Sequence, residues 1–137
     1  MPRNPKKARR LVTDDRVHLW TLRHSHRRPD GGRAVDCTET LTLTPQPSGT
    51  GGPLRIVFAE RPDHYVPGSA YTGSGDVGLV RGASLNLHEP GAVRALLDTA
   101  RAHGWDPDDR HPTVLDGWPL LDEAAAALAA RRATVDG

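Results

Sequence analysis

Apolar side chains recur at every second position between Arg16 and Thr44, and every third or fourth position after Glu89. The first period belongs to a strand with one buried face, the second to a helix with one buried stripe. Arg16–His26 is expected as the first strand, with Val17, Leu19 and Thr21 on one side and His18, Trp20, Leu22 and His24 on the other. The turn Pro29-Asp30-Gly31-Gly32 closes a hairpin. Arg33–Thr44 is the clearest strand: Val35, Cys37, Leu41 and Leu43 share one face, and Asp36, Thr38, Thr40, Thr42 and Thr44 the other. After a Pro/Gly/Ser/Thr loop over Pro45–Pro53, Leu54–Glu60 reads as a third strand with Leu54, Ile56 and Phe58 inward. Arg61–Asp76 is a long irregular stretch, and loops of this length are often functional. Val77–Leu87 reads as a fourth extended segment, with Gly82 where a bulge would interrupt its alternation.

Pro90 suits a first helical position, where its missing N–H is not needed. Val93, Leu96, Leu97 and Ala100 then form one apolar stripe. Gly104 is placed for the left-handed residue that ends a helix, with Trp105 folding back on the last turn. Beyond a polar loop over Asp106–Pro112, Asp116 is a plausible cap for a second helix over Leu120–Arg132, closed by Arg131 and Arg132. Strands first and helices after exclude the alternation that a doubly wound parallel sheet needs. The fold expected is α+β, a four-stranded antiparallel sheet followed by two helices packed on one face.

The 137 residues make one domain's worth of chain, enough to bury a core without disulfide or metal. Residues 1–14 are expected as a disordered basic tail and 15–133 as the single domain. The segment Pro2–Arg10 holds five cations and almost nothing apolar. That tail accounts for the net charge of +1 and leaves the body slightly acidic, unlike a fold with a basic nucleic-acid face. One cysteine, Cys37, excludes an intrachain disulfide. No apolar run approaches the ~18 residues of a membrane span and none follows the N-terminal cations, so a cytoplasmic protein without membrane contact is expected.

Gly73-Ser74-Gly75-Asp76-Val77-Gly78-Leu79-Val80 matches the pattern GxGxxGxV. A dinucleotide loop needs a helix directly after the glycines, and a strand follows instead. A kinase loop needs a lysine on the next strand, and none exists after Lys7. The motif therefore reads as a hairpin loop. His24-Ser25-His26 sets two imidazoles on one strand face, a weak metal candidate opposed by Arg23, Arg27 and Arg28. Glu39 falls on the apolar face of its strand, which makes it a pocket acid or base, or else marks a bulge, the sheet's edge, or an ion pair with an arginine such as Arg55. Cys37 on the same face reads as an inert thiol. The six aromatics leave few platforms for stacking bases.

The stretch Ser84–Arg94 (SLNLHEPGAVR), with Gly104-Trp105 and Leu115-Asp116-Gly117-Trp118, resembles small single-domain proteins of high-GC actinobacteria, and this resemblance implies no activity, cofactor or site residue. From the residues themselves, Asn86, His88 and Arg94 form an expected polar patch beside a helix start, and His64, Tyr65 and Tyr71 of the long loop extend it as a binding region. No catalytic set emerges. The leading expectation is a non-catalytic domain, of immunity, adaptor or regulatory type, that binds a protein partner without a cofactor. The alternatives are a small-molecule site or enzyme between sheet and helices, using Glu39 with His24 and His26, and a nucleic-acid accessory protein led by its basic tail.

Overall fold

The computed structural model describes residues 8–32, 35–67 and 74–136. Strands β1 (Arg9–Val12), β2 (Val17–Arg27), β3 (Val35–Gln46) and β4 (Leu54–Ala59) are successive antiparallel neighbours. A later strand, β8 (Thr113–Asp116), joins the free edge of β4 in parallel, giving the order β1-β2-β3-β4-β8. Three short antiparallel strands, β5 (His64–Tyr65), β6 (Asp76–Leu79) and β7 (Ser84–Asn86), make a second sheet. Helices α1 (Pro90–Ala102) and α2 (Trp118–Asp136) complete an α+β fold.

The large sheet has the two-faced character its alternation requires. Trp20 stands opposite Leu43, Leu22 opposite Leu41, and Leu41 opposite Ile56, all buried. These residues share one core with Val93, Leu96 and Leu97 of α1, Leu121, Ala124 and Leu128 of α2, and Val77 and Leu85 of the second sheet. The expected stripe of α1 is thus the buried one. Gly104 adopts φ +104°, and Trp105 N–H returns to the Ala100 carbonyl at 3.0 Å, closing the helix as its sequence implies. Asp116 Oδ1 accepts the Trp118 N–H at 3.1 Å and starts α2 two residues before the expected Leu120. The Trp118 indole N–H reaches the Ala59 carbonyl at 2.9 Å, and its ring meets Phe58 edge-on at 5.0 Å, so α2 is clamped to the end of β4.

Four expectations are corrected. The sheet has five strands and is mixed rather than four-stranded and antiparallel, because Thr113–Asp116, where no strand was expected, lies parallel to β4, and Arg9–Val12 adds the other edge. Residues 9–12 of the expected tail are an edge strand: Leu11 is buried, and the Arg9 guanidinium lies 4.7 Å over the Trp20 ring. The segment Val77–Leu87 is not one strand with a bulge but a hairpin, turning through Val80–Ala83, with Gly82 N–H bonded to the Leu79 carbonyl. Helix α2 runs past Arg131 and Arg132, which are ion-paired to Asp98 and Glu89. Among the described residues no helix is long and apolar enough to cross a membrane.

Candidate interaction surface

The polar patch expected around Asn86 and His88 exists, but its groups are turned on one another. His88 Nε2 is hydrogen-bonded to Ser74 Oγ at 2.8 Å, and the His88 N–H donates to Asn86 Oδ1 at 2.9 Å. Asn86 Nδ2 donates to Asp76 Oδ1 at 2.8 Å, and Arg9 donates to the His88 carbonyl at 2.7 Å. The network ties β1, the β6–β7 hairpin and the start of α1 together. Gly75, at φ +82°, explains the glycine motif: a Cβ there would stand 2.5 Å from the His88 ring and 2.9 Å from Asn86 Oδ1.

Arg94 does not join the patch; its guanidinium pairs with Asp98 one turn along α1 at 3.0 Å. His64 is held by the Pro62 carbonyl at 2.8 Å and lies edge-on to Trp118 at 4.7 Å. Tyr65 pairs with Gly78, its hydroxyl occupying the space a Cβ would need. Tyr71 lies outside the described residues. The expected binding region is therefore not one surface: Asn86 and His88 form a latch, while Arg94 and His64 have separate partners.

Glu39 is buried, and its partner is not Arg55, which projects from the opposite face of the sheet, but His24, whose Nδ1 lies 3.0 Å from Oε1. The His26 ring centroid is 5.3 Å from that of His24, and Arg28 Nε sits 3.4 Å from His26 Nε2. Among the described residues no three His, Cys, Asp or Glu groups are grouped to hold a metal. Burial raises the Cys37 thiol above its ordinary range, with Glu60 and Asp36 adding to the effect, so the thiol is held protonated.

His18, on the strand face that also carries Trp20 and Leu22, has no expected role. It is buried, its ring 6.3 Å from Trp105, and among the described residues neither ring nitrogen has a hydrogen-bond partner; the neighbouring Trp20 indole N–H also lacks one there. Desolvation, reinforced by the Arg16 and Arg101 charges and opposed by Asp15, lowers the His18 pKa. Asp15 itself is held below the usual carboxylate range, chiefly by a hydrogen bond from Arg101.

The opposite face of the large sheet is covered by no element among the described residues. The register aligns its outward residues in rows: Arg10, Leu19 and Thr44; Thr21, Thr42, Arg55 and Val114; Arg23, Thr40, Val57 and Asp116. Every one of these is partly or fully exposed, with Val114 at 62% and neighbouring Val12 at 61%. Among the described residues of these three rows Arg10, Arg23 and Arg55 meet one acid, Asp116, which caps α2, while Asp36 at the end of β3 is paired with Arg27. The threonine rows were legible from the alternation of Thr38–Thr44. Arg10 and Val114 were not, because they belong to edge strands too short to show a period. Comparison of the chain with protein-family models, curated proteins and solved structures finds no match.

Proposed function

We propose that this chain is a non-catalytic interaction domain that docks an acidic protein partner on the open face of its five-stranded sheet. The observation that carries the reading is the contrast between the two faces. One is buried under both helices and the second sheet, and the other presents three arginines, a field of threonines and exposed valines with no covering element among the described residues. Strands spaced about 4.8 Å apart, rising about 3.4 Å per residue, make this a plate of roughly 20 Å by 20 Å. That suits a small, transient contact rather than an obligate one. Positive charge on a threonine-rich plate selects partners by complementarity and speeds their encounter. Among the described residues the face has no aromatic ring, and this favours a protein over single-stranded nucleic acid, which is held largely by stacking.

Affinity capture from host lysate tests the proposal, with Arg23→Glu/Arg55→Glu compared against Arg110→Glu, an exposed charge reversal off the face. A partner retained by the wild type and by Arg110→Glu but lost by the double variant is the expected result. A blank under several salt conditions, or capture indifferent to both variants, overturns it. Capture abolished by nuclease would move the assignment to a nucleic-acid accessory protein, with Arg9 and Arg10 supplying phosphate contacts.

A second reading, a small-molecule site or enzyme, has one observation in its favour: the buried Glu39 carboxylate oriented on His24. That pair is a general-base geometry. A ligand screen by melting temperature, repeated on Glu39→Gln, separates it from the first reading.

A further inference from the structure

We infer that the free edge of β8 is a docking site for an extended segment of a partner protein, which adds to the large sheet as a further strand. The ladder to β4 fixes how β8 presents its backbone. Thr113 N–H reaches the Pro53 carbonyl at 3.0 Å and Gly117 N–H the Val57 carbonyl at 2.8 Å, so residues 113, 115 and 117 turn their main-chain groups to β4. Main-chain groups alternate in direction along a strand. Val114 and Asp116 therefore point theirs outward: two N–H donors and two carbonyl acceptors, with no hydrogen bond among the described residues. Such edges are commonly blunted by charges or by cover. The opposite edge, β1, carries Arg9 and Arg10, and Arg9 is tied to the His88 carbonyl. β8 has one charge, Asp116, whose Oδ1 is turned back on the Trp118 N–H, and its Val114 is 62% exposed.

A hollow lies on each side of this edge. The one on the helix side, about 520 Å³, is walled by Ala100, Trp105 and Leu120, and the one on the open side, about 310 Å³, by Val57, Ala59 and Trp118. Leu115 and Asp116 line both, as residues of a strand running between them must. Side chains of an extended segment alternate in direction, so a segment paired with β8 sends successive side chains into the two hollows in turn. Main-chain bonds at a sheet edge supply affinity, and hollows that take alternate side chains supply specificity.

These walls select the occupant. Their apolar residues suit apolar side chains at successive positions of the segment. On the helix side Asp109 is paired with His111, but Asp106 and Asp116 also line the hollow and disfavour an acidic side chain there. A second copy of β8 suits the edge less well, because its Leu115 already lines its own two hollows and cannot fill another's. The occupant is thus an extended, non-acidic segment of a different protein. The edge borders the open sheet face but uses none of Arg10, Arg23 and Arg55, so this inference stands or falls separately from docking on the arginine-bearing plate.

Acetylated, amidated heptapeptides of the form Lys-Thr-X-X-X-Thr-Lys, with X drawn from Val, Ile, Leu, Phe and Thr, test it on the full chain. Binding is followed by NMR shifts and hydrogen exchange of the Val114 and Asp116 amides. At least one peptide should bind saturably and slow exchange at both amides by at least ~10-fold. N-methylation of that peptide at alternate central positions should weaken binding at least ~10-fold in one phase and leave it within ~3-fold in the other. Val114→Pro removes an outward N–H that β4 does not use, a position where an edge strand tolerates proline, and Val114→Thr keeps it. The proline variant should bind at least ~10-fold more weakly and the threonine variant within ~3-fold of wild type. If Val114→Pro does not fold, the two N-methylated peptides carry the same comparison. No saturable binding across the panel up to ~5 mM, unchanged exchange at Val114 and Asp116, or equal binding of both N-methylated peptides overturns the assignment. So does a concentration-dependent dimer of the free chain that Val114→Pro abolishes, which gives the edge to a second copy.

Discussion

Replacing His18 by leucine should make the protein more stable at neutral pH and remove part of its acid sensitivity. The residue is 1% exposed, and its ring nitrogens both lack a partner among the described residues. A buried polar group in that state costs about 1–3 kcal/mol. Leucine has nearly the same volume, so little cavity or overpacking should offset the gain, and His18→Leu is expected to add about 1–2 kcal/mol at pH 7.5. The pH dependence follows from the lowered pKa. Above the ordinary imidazole value of about 6.5, the ring is neutral in both folded and unfolded chains, and stability does not depend on it. As pH falls below that value the unfolded chain takes up a proton that the folded one refuses. Stability is then lost by up to about 1.4 kcal/mol per pH unit until the folded pKa is reached. Urea unfolding followed by tryptophan fluorescence, at pH 7.5, 6.5, 5.5 and 5.0, measures both effects. The difference between variant and wild type should widen as pH drops from 6.5. Parallel curves over this range, or a variant less stable at pH 7.5, would refute the picture of a neutral, unpartnered imidazole in the core.

Three further outcomes test how the elements are joined. Leu11→Ala should cost about 2 kcal/mol in urea unfolding because β1 belongs to the core; a change within about 0.5 kcal/mol would mean that residues 9–12 do not pack as a strand. Gly117→Ala places a Cβ 2.5 Å from a Phe58 ring that Trp118 already holds edge-on, so a loss of about 1–3 kcal/mol is expected by thermal melting, and an unchanged melting temperature would contradict that packing. Glu39→Gln keeps an acceptor for His24 Nδ1 and should cost about 1 kcal/mol, whereas Glu39→Ala also opens space in the core and should cost about 2–4 kcal/mol; equal losses would show that the hydrogen bond to His24 is immaterial.

The long strands and the first helix were readable because each carries enough residues for a period to declare itself. β2, β3 and β4 lie within two residues of their expected bounds, and the strand faces that carry Trp20 and Leu22, Cys37, Leu41 and Leu43, and Leu54, Ile56 and Phe58 are the buried ones. Short elements were not readable. β1 and β8 have four residues each, two per face, which no period distinguishes from loop. Their place in the sheet is decided by neighbours remote in the chain, Trp20 over which Arg9 lies and Arg55 beside Val114. The candidate site suffered the same limit. Asn86 and His88 were expected to face outward because they alternate with Leu85 and Leu87. The partners that consume them, Ser74, Asp76 and Arg9, come from other segments. Glu39 illustrates the intermediate case: its burial followed from alternation, but its partner required knowing that His24 stands directly across from it on β2.

The same alternation sets both faces of the sheet, and this constrains any account of function. Shifting β3 by one residue against its neighbours would bring Thr38, Thr40, Thr42 and Thr44 into the core and turn Leu41 and Leu43 out, so the register is fixed by burial. His18 and Glu39 are carried inward by that register, although apolar residues would fill both positions at less cost. Glu39 finds His24 there, whereas His18 finds no hydrogen-bonding group among the described residues. On the outward side the same register brings Arg10, Arg23 and Arg55 into separate rows of one plate, each from a different strand. The acids Asp106 and Asp109 lie instead beyond the end of α1, on the side of the sheet that the helices cover. A nearly neutral chain thereby separates its charge into a basic sheet face and an acidic hollow. Charge separated in this way orients an approaching partner before contact, and that orientation weakens as salt shortens the reach of the field.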